Sequence, residues 1–137
     1  MRFLDANIFL RYLTRDDEAK AEACFRLFQR LKSGEETATT SEVIIVEVVY
    51  VLAARSLYNL RPDEISARLR PLLAVRGLRV PHKRSCLQAL DLYATYPFLD
   101  FEDAFAVADM ERQGLKIILS YDRDFDRLEQ ISREEPQ

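Results

Sequence analysis

Four acidic residues stand in or beside apolar, lightly charged stretches of this chain. Asp5 follows Phe3-Leu4, Glu47 interrupts Val43-Ile44-Ile45-Val46 and Val48-Val49, Asp103 opens the run Ala104-Phe105-Ala106-Val107, and Asp122 follows Ile117-Ile118-Leu119-Ser120-Tyr121. Taking an ion out of water costs several kcal/mol even after relaxation, on the order of the net stability of a small domain. Four such carboxylates ask for cations. Hard divalent ions such as Mg2+ and Mn2+ prefer carboxylate oxygens and water, so a metal site built from Asp5, Glu47, Asp103 and Asp122 is the leading expectation.

Each acid also has an ordinary structural use. Asp5, before Ala6-Asn7-Ile8, is placed to cap a helix. Glu47 has Val43, Ile44, Tyr50 and Val51 as its helical neighbours, which predicts that it points from an apolar face, with a buried Glu-Arg pair as the alternative. Asp103 follows Asp100 and Glu102 in a first helical turn, where acids are common. Its facing residues are Ala106, Val107 and Met110, whereas Glu102 shares a side with Asp109; Asp103 is the inward candidate. Asp122, before Arg123-Asp124-Phe125, is also placed to cap. Asn7 and Ser120 are small polar neighbours able to support a carboxylate or a water, and Asp124 is an outer ligand candidate.

The elements that must position these residues read as alternating strands and helices. Arg2 to Leu4 is predicted as a strand, Ala6 to Leu13 as a helix, and Glu18 to Leu31 as a helix that Ser33-Gly34 stops. Thr37 to Thr40 suits a strand, and Ser41 caps a long helix to about Leu57, apolar on nearly every side and so expected to be buried on several faces. Pro62 starts a helix to about Leu73. Leu78 to Val80 reads as a strand, Ser85 to Thr95 and Phe101 to Gln113 as helices, Lys116 to Ser120 as a buried strand, and Asp122 to Leu128 as a short helix. This alternation predicts one α/β domain over residues 1–137, a sandwich with a largely parallel central sheet flanked by helices. In such folds ligands bind beyond the carboxyl ends of the strands, where Asp5 and Asp122 fall.

Composition narrows the function. At 137 residues, 48% hydrophobic and 31% charged, the chain reads as a globular protein with a real core. An acid at position 5 and the break at Glu47 argue against a signal peptide or membrane span, so a cytoplasmic, membrane-free protein is expected. Cys24 and Cys86 lie far apart, outside any CxxC pair, and read as reduced, partly buried small hydrophobes. The net charge of -3 argues against a uniformly basic nucleic-acid binder, although the sixteen arginines, with Arg11, Arg15 and Arg123 nearest the acids, leave room for a local patch. The single histidine, His82, in a surface Pro81-His82-Lys83 turn, excludes a paired-histidine ribonuclease. A phosphatase with a nucleophilic aspartate is disfavoured because Asn7 stands where its second acid belongs. No GxxxxGK[ST] phosphate loop is present.

Four segments carry a resemblance: Phe3-Leu4-Asp5-Ala6-Asn7, Thr40-Ser41 with Glu47-Val48-Val49-Tyr50-Val51-Leu52, Leu99-Asp100-Phe101-Glu102-Asp103-Ala104, and Leu119-Ser120-Tyr121-Asp122-Arg123-Asp124-Phe125. In order and spacing the chain resembles PIN-domain ribonucleases, specifically VapC-type toxins of toxin-antitoxin pairs, over nearly its whole length. The family's acidic quartet falls on Asp5, Glu47, Asp103 and Asp122. Two positions depart from the pattern: Ala6 stands where Thr or Ser is usual, removing a hydroxyl near Asp5, and Ser120 stands where Thr is frequent, keeping one. The resemblance implies a PIN-like three-layer sandwich and hydrolysis of RNA by water activated on Mg2+ or Mn2+. Asp5, Asp103 and Asp122 would be ligands, and Glu47 a ligand or water-orienting base. It also implies a homodimer and a cognate antitoxin partner. The alternative is a catalytically silent PIN-fold module that binds RNA or protein.

Overall fold

The computed structural model covers residues 1–137 and shows the α/β sandwich expected. In chain order the elements are β1 (Arg2–Phe3), α1 (Ala6–Thr14), α2 (Glu18–Ser33), β2 (Ala38–Thr39), α3 (Glu42–Ala53), α4 (Pro62–Leu73), β3 (Leu78–Arg79), α5 (Lys83–Thr95), α6 (Phe101–Gln113), β4 (Ile117–Leu119), a 3-10 turn (Arg123–Arg127) and β5 (Ser132–Glu134). All strand pairing is parallel, but the sheet comes in two parts. β1, β2 and β3 pair in that order, with Arg2 opposite Ala38 and Ala38 opposite Leu78, and β4 pairs with β5.

Local chemistry sets most helix boundaries. The Asp17 carboxylate accepts the Lys20 N–H at the start of α2, and the Ser41 hydroxyl accepts the Ile44 N–H at the start of α3. Pro62 occupies the first turn of α4, where its missing N–H is harmless. Gly34 and Gly114, at φ of 81° and 71°, end α2 and α6 in the left-handed conformation that glycine adopts without strain. The core is one contiguous cluster, with Phe9, Leu31, Ile45, Leu52, Leu69, Leu78 and Leu90 fully enclosed. α3 packs against α1, α4 and α6, and α5 lies between α4 and α6. Burial of Ile45, Val48, Val49 and Leu52 gives α3 a gross hydrophobic contribution of roughly 6–10 kcal/mol.

Several expectations are corrected. α3 ends at Ala53 rather than near Leu57, because Ala54 turns extended and its carbonyl accepts the N–H groups of Leu57 and Asn59 in a tight turn. Nor is α3 buried all round: Val43 and Tyr50 are 76% and 69% exposed. The strand at Lys116 to Ser120 is not buried either, since Ile117 and Leu119 are 56% and 64% exposed while only Ile118 turns toward the core. Both faces of a parallel strand are ordinarily covered, but here only the face of Ile118 packs against the core. The last helix is a 3-10 turn, and β5 is a strand absent from the sequence reading. Cys24 and Cys86 are free and buried, and His82 lies exposed in its turn, as expected. No helix is long and apolar enough to cross a membrane.

Candidate active site

Side-chain hydrogen bonds tie down the carboxyl ends of β1 and β4, where Asp5 and Asp122 follow. Thr40, buried just past β2, donates its hydroxyl to the Leu4 carbonyl at 2.9 Å, so the chain entering α3 is pinned to the residue before Asp5. The Arg133 guanidinium of β5 donates to the Ser120 carbonyl at 2.9 Å, fixing the end of β4. The Ser120 hydroxyl accepts the Asp122 N–H at 2.9 Å, which sets the direction of the acid that follows.

The acids themselves are less buried than their neighbours imply. Asp5 occupies the cap position of α1, yet its carboxylate makes no capping hydrogen bond and lies in solvent. Glu47 corrects the prediction most: it is exposed, on the same outward stripe of α3 as Val43 and Tyr50. Asp122 is also exposed and does cap, accepting the Asp124 N–H at 2.9 Å. Only Asp103 is half-buried, whereas Glu102 beside it is exposed, as the helix faces predict. The cost of burying charge therefore applies to one acid of the four.

None of the four takes part in an ion pair, so the buried Glu-Arg alternative for Glu47 fails with the burial itself. At Asp103 the consequence is measurable. Burial first, then the charge of Asp100, a hydrogen bond with Asp100, and the charges of Asp122 and Glu102 push its carboxyl from the ordinary 3.8 up to about 6. Asp100, which sequence reading passed over, is thus a member of the site. Its carboxylate accepts the Asp103 N–H at 2.9 Å and caps the first turn of α6. The signal was present in the spacing, an acid three residues before another at a helix start.

The donor chemistry fits a hard divalent cation: carboxylates only, no cationic partner, and mutual repulsion at Asp103 that added positive charge would relieve. The side chains are not drawn together into a finished shell, and no three His, Cys, Asp or Glu groups stand close enough to hold an ion as they are. Of the supporting residues, Asn7 is exposed one turn into α1, Ser120 is half-buried, and Asp124 lies 3.8 Å from Arg127. Of the three arginines nearest the acids, Arg15 is taken up by Glu18 and Glu22, while Arg11 and Arg123 are in no ion pair.

No curated protein matches this chain. Among solved structures, Mycobacterium tuberculosis VapC20, a sarcin-ricin loop cleaving toxin, is similar over 96% of this chain and 97% of that one, at 19% identity and a TM-score of 0.38. The family model of the PIN domain matches residues 2–131 and so takes in all four acids, Thr40 and Ser120. The chain belongs to the PIN domain family, and a nuclease is what that membership indicates.

Proposed function

We infer that this protein is a metal-dependent endoribonuclease that hydrolyses RNA phosphodiester bonds and serves as the toxin of a toxin-antitoxin pair. The observation that carries this reading is the PIN domain match across residues 2–131. The four carboxylates left without cations support it. A bound Mg2+ or Mn2+ supplies Lewis acidity, making water more acidic and offsetting charge on the phosphoryl oxygens. Asp5, Asp103 and Asp122 would hold the ion, with Asp5 available because its carboxylate makes no capping hydrogen bond. Asp100 and Ser120 fix the backbone of Asp103 and Asp122 respectively. Glu47, exposed one helix away, is a further ligand or orients the attacking water. The oxygen of that water would add to phosphorus as the bond to the leaving ribose oxygen breaks, one proton of the water passing to a carboxylate and one being delivered from solvent or that carboxylic acid to the leaving oxygen. An antitoxin partner and a homodimer belong to the same reading.

That no three acids stand together favours a second reading, a catalytically silent PIN-fold module that binds RNA or protein. Cleavage of structured RNA by the purified protein with Mn2+ or Mg2+, with EDTA, and by the Asp5→Asn variant separates the two. The nuclease reading expects cleavage that EDTA abolishes and excess metal restores, and that Asp5→Asn lowers by at least 100-fold, a loss of about 3 kcal/mol of transition-state stabilisation. RNA left intact by the wild-type protein with either ion, and no thermal shift on adding Mn2+, would sink it.

A further inference from the structure

The hairpin of α1 and α2 encloses a hollow of about 290 Å3 lined by Asn7, Ile8, Arg11, Lys20, Ala23 and Cys24. Its lining carries two cations and no acid. Arg11 is half-buried and Lys20 exposed, and neither is in an ion pair. The acids of this hairpin are already spent: Glu18 and Glu22 lie 3.4 Å and 3.7 Å from Arg15, and the Asp17 carboxylate is turned to the Lys20 backbone N–H. Arg11 also reaches Cys24, whose thiol burial pushes up and the nearby guanidinium draws back down.

Two other hollows lack this character. One, of about 450 Å3, sets Glu42 and Asp109 against Arg112 with His82 and Ser41; the other, of about 200 Å3, sets Glu111 against Lys116. The α1–α2 hollow is built partly on α1, the helix that Asp5 opens. Asn7 lies two residues after Asp5 on the same helix, and Arg11 only about 9 Å further along the axis than Asp5. A chain of net charge -3 with unpaired acids at its site repels a polyanion, so the strand on either side of the cut needs cations close by.

We propose that Arg11 and Lys20, with Asn7 beside them, hold a backbone phosphate of the RNA strand one or two nucleotides from the bond cut at the acids. This rests on the ribonuclease reading. Arg11 supplies a planar fork for two phosphate oxygens and Lys20 a mobile point charge, so the pair positions the strand without reading its bases.

The test compares steady-state cleavage of one RNA by the wild-type protein, Arg11→Gln, Lys20→Gln and Arg11→Lys, with Arg26→Gln on α2, outside the hollow, as control. Each glutamine in the hollow is expected to raise KM about tenfold with kcat within twofold, and to flatten the plot of log KM against log salt by about 0.7 per lost cation. Arg11→Lys, which keeps the charge but not the fork, should restore the salt slope and only part of the loss in KM, and Arg26→Gln should change KM less than twofold. Thermal melts establish that each variant is folded. Wild-type cleavage with KM and salt slope unchanged in both glutamine variants would overturn the subsite. So would an equal effect of Arg26→Gln, which would indicate a diffuse field. A wild-type protein that cuts no RNA would remove the ribonuclease reading, and the subsite with it.

Discussion

Replacing Asp103 by Asn should make the metal-free protein more stable, and more so at high pH than at low. The folded carboxyl titrates near 6 against an ordinary 3.8, so the folded state holds its proton more tightly than the unfolded chain. The sign follows from linkage: between those values the native state binds more protons, and stability falls as pH rises. The penalty is full above about pH 6 and fades as pH drops toward 3.8. The difference, at about 1.4 kcal/mol for each pH unit, gives an upper limit of about 3 kcal/mol. Partial exposure and salt reduce this to about 1–1.5 kcal/mol. In a 137-residue chain that is a rise in Tm of about 4 °C. Asn keeps the shape and can still donate to Asp100. Thermal melts in EDTA at pH 7.5 and pH 4.5 test this, with the gain at pH 4.5 expected to be less than half that at pH 7.5. Adding Mg2+ or Mn2+ should then stabilise the wild-type protein and act less on Asp103→Asn, because the variant has lost a donor and the repulsion that binding relieves. An Asp103→Asn protein that is less stable than wild type in EDTA at pH 7.5, or a gain independent of pH, would falsify the account of Asp103 as a carboxylate held up by burial and neighbouring acids.

Two further outcomes bear on the scaffold. Gly77→Ala should cost about 3 kcal/mol or abolish folding, read by urea denaturation, because a Cβ there collides with the backbone carbonyls of Glu36 and Leu31, neither of which can yield as a side chain would; a loss below about 1 kcal/mol would contradict this packing. The Cys86 thiol, pushed up to about 12 mainly by burial, should stay unmodified by a thiol reagent at pH 8 in the native protein and react only on unfolding.

What could be read from the chain and what could not divides along physical lines. Boundaries marked by residues with special backbone needs were legible: Pro62 and Gly34 fall where expected, as does the cap Ser41, whereas the cap Asp17 was not read. β5 was not, because Ser132-Arg133-Glu134 has no apolar alternation; it is held by its ladder to β4 and by Arg133, a tertiary interaction without a local signature. The faces of α3 were not legible either. A helix apolar all round gives no stripe to orient, so Glu47 was assigned to the buried side when the buried set is Ile45, Val48, Val49 and Leu52.

The four acids were singled out from sequence by a premise that holds for only one of them. Burial does not distinguish Asp5, Glu47 or Asp122, which are solvated. Lack of a cationic partner does not suffice alone, since Glu35 and Glu129 also lack one on the open surface. What sets the site apart is Asp103: burial first, and then the charges of Asp100, Asp122 and Glu102, push its carboxyl up to about 6, and none of the arginines that pair with acids elsewhere pairs with it. A group of that kind raises the energy of the metal-free protein, and a bound cation would offset the repulsion. Stability lost at Asp103 and affinity for a divalent ion are then two sides of one quantity, and for that reason a melt without any RNA can test the metal assignment.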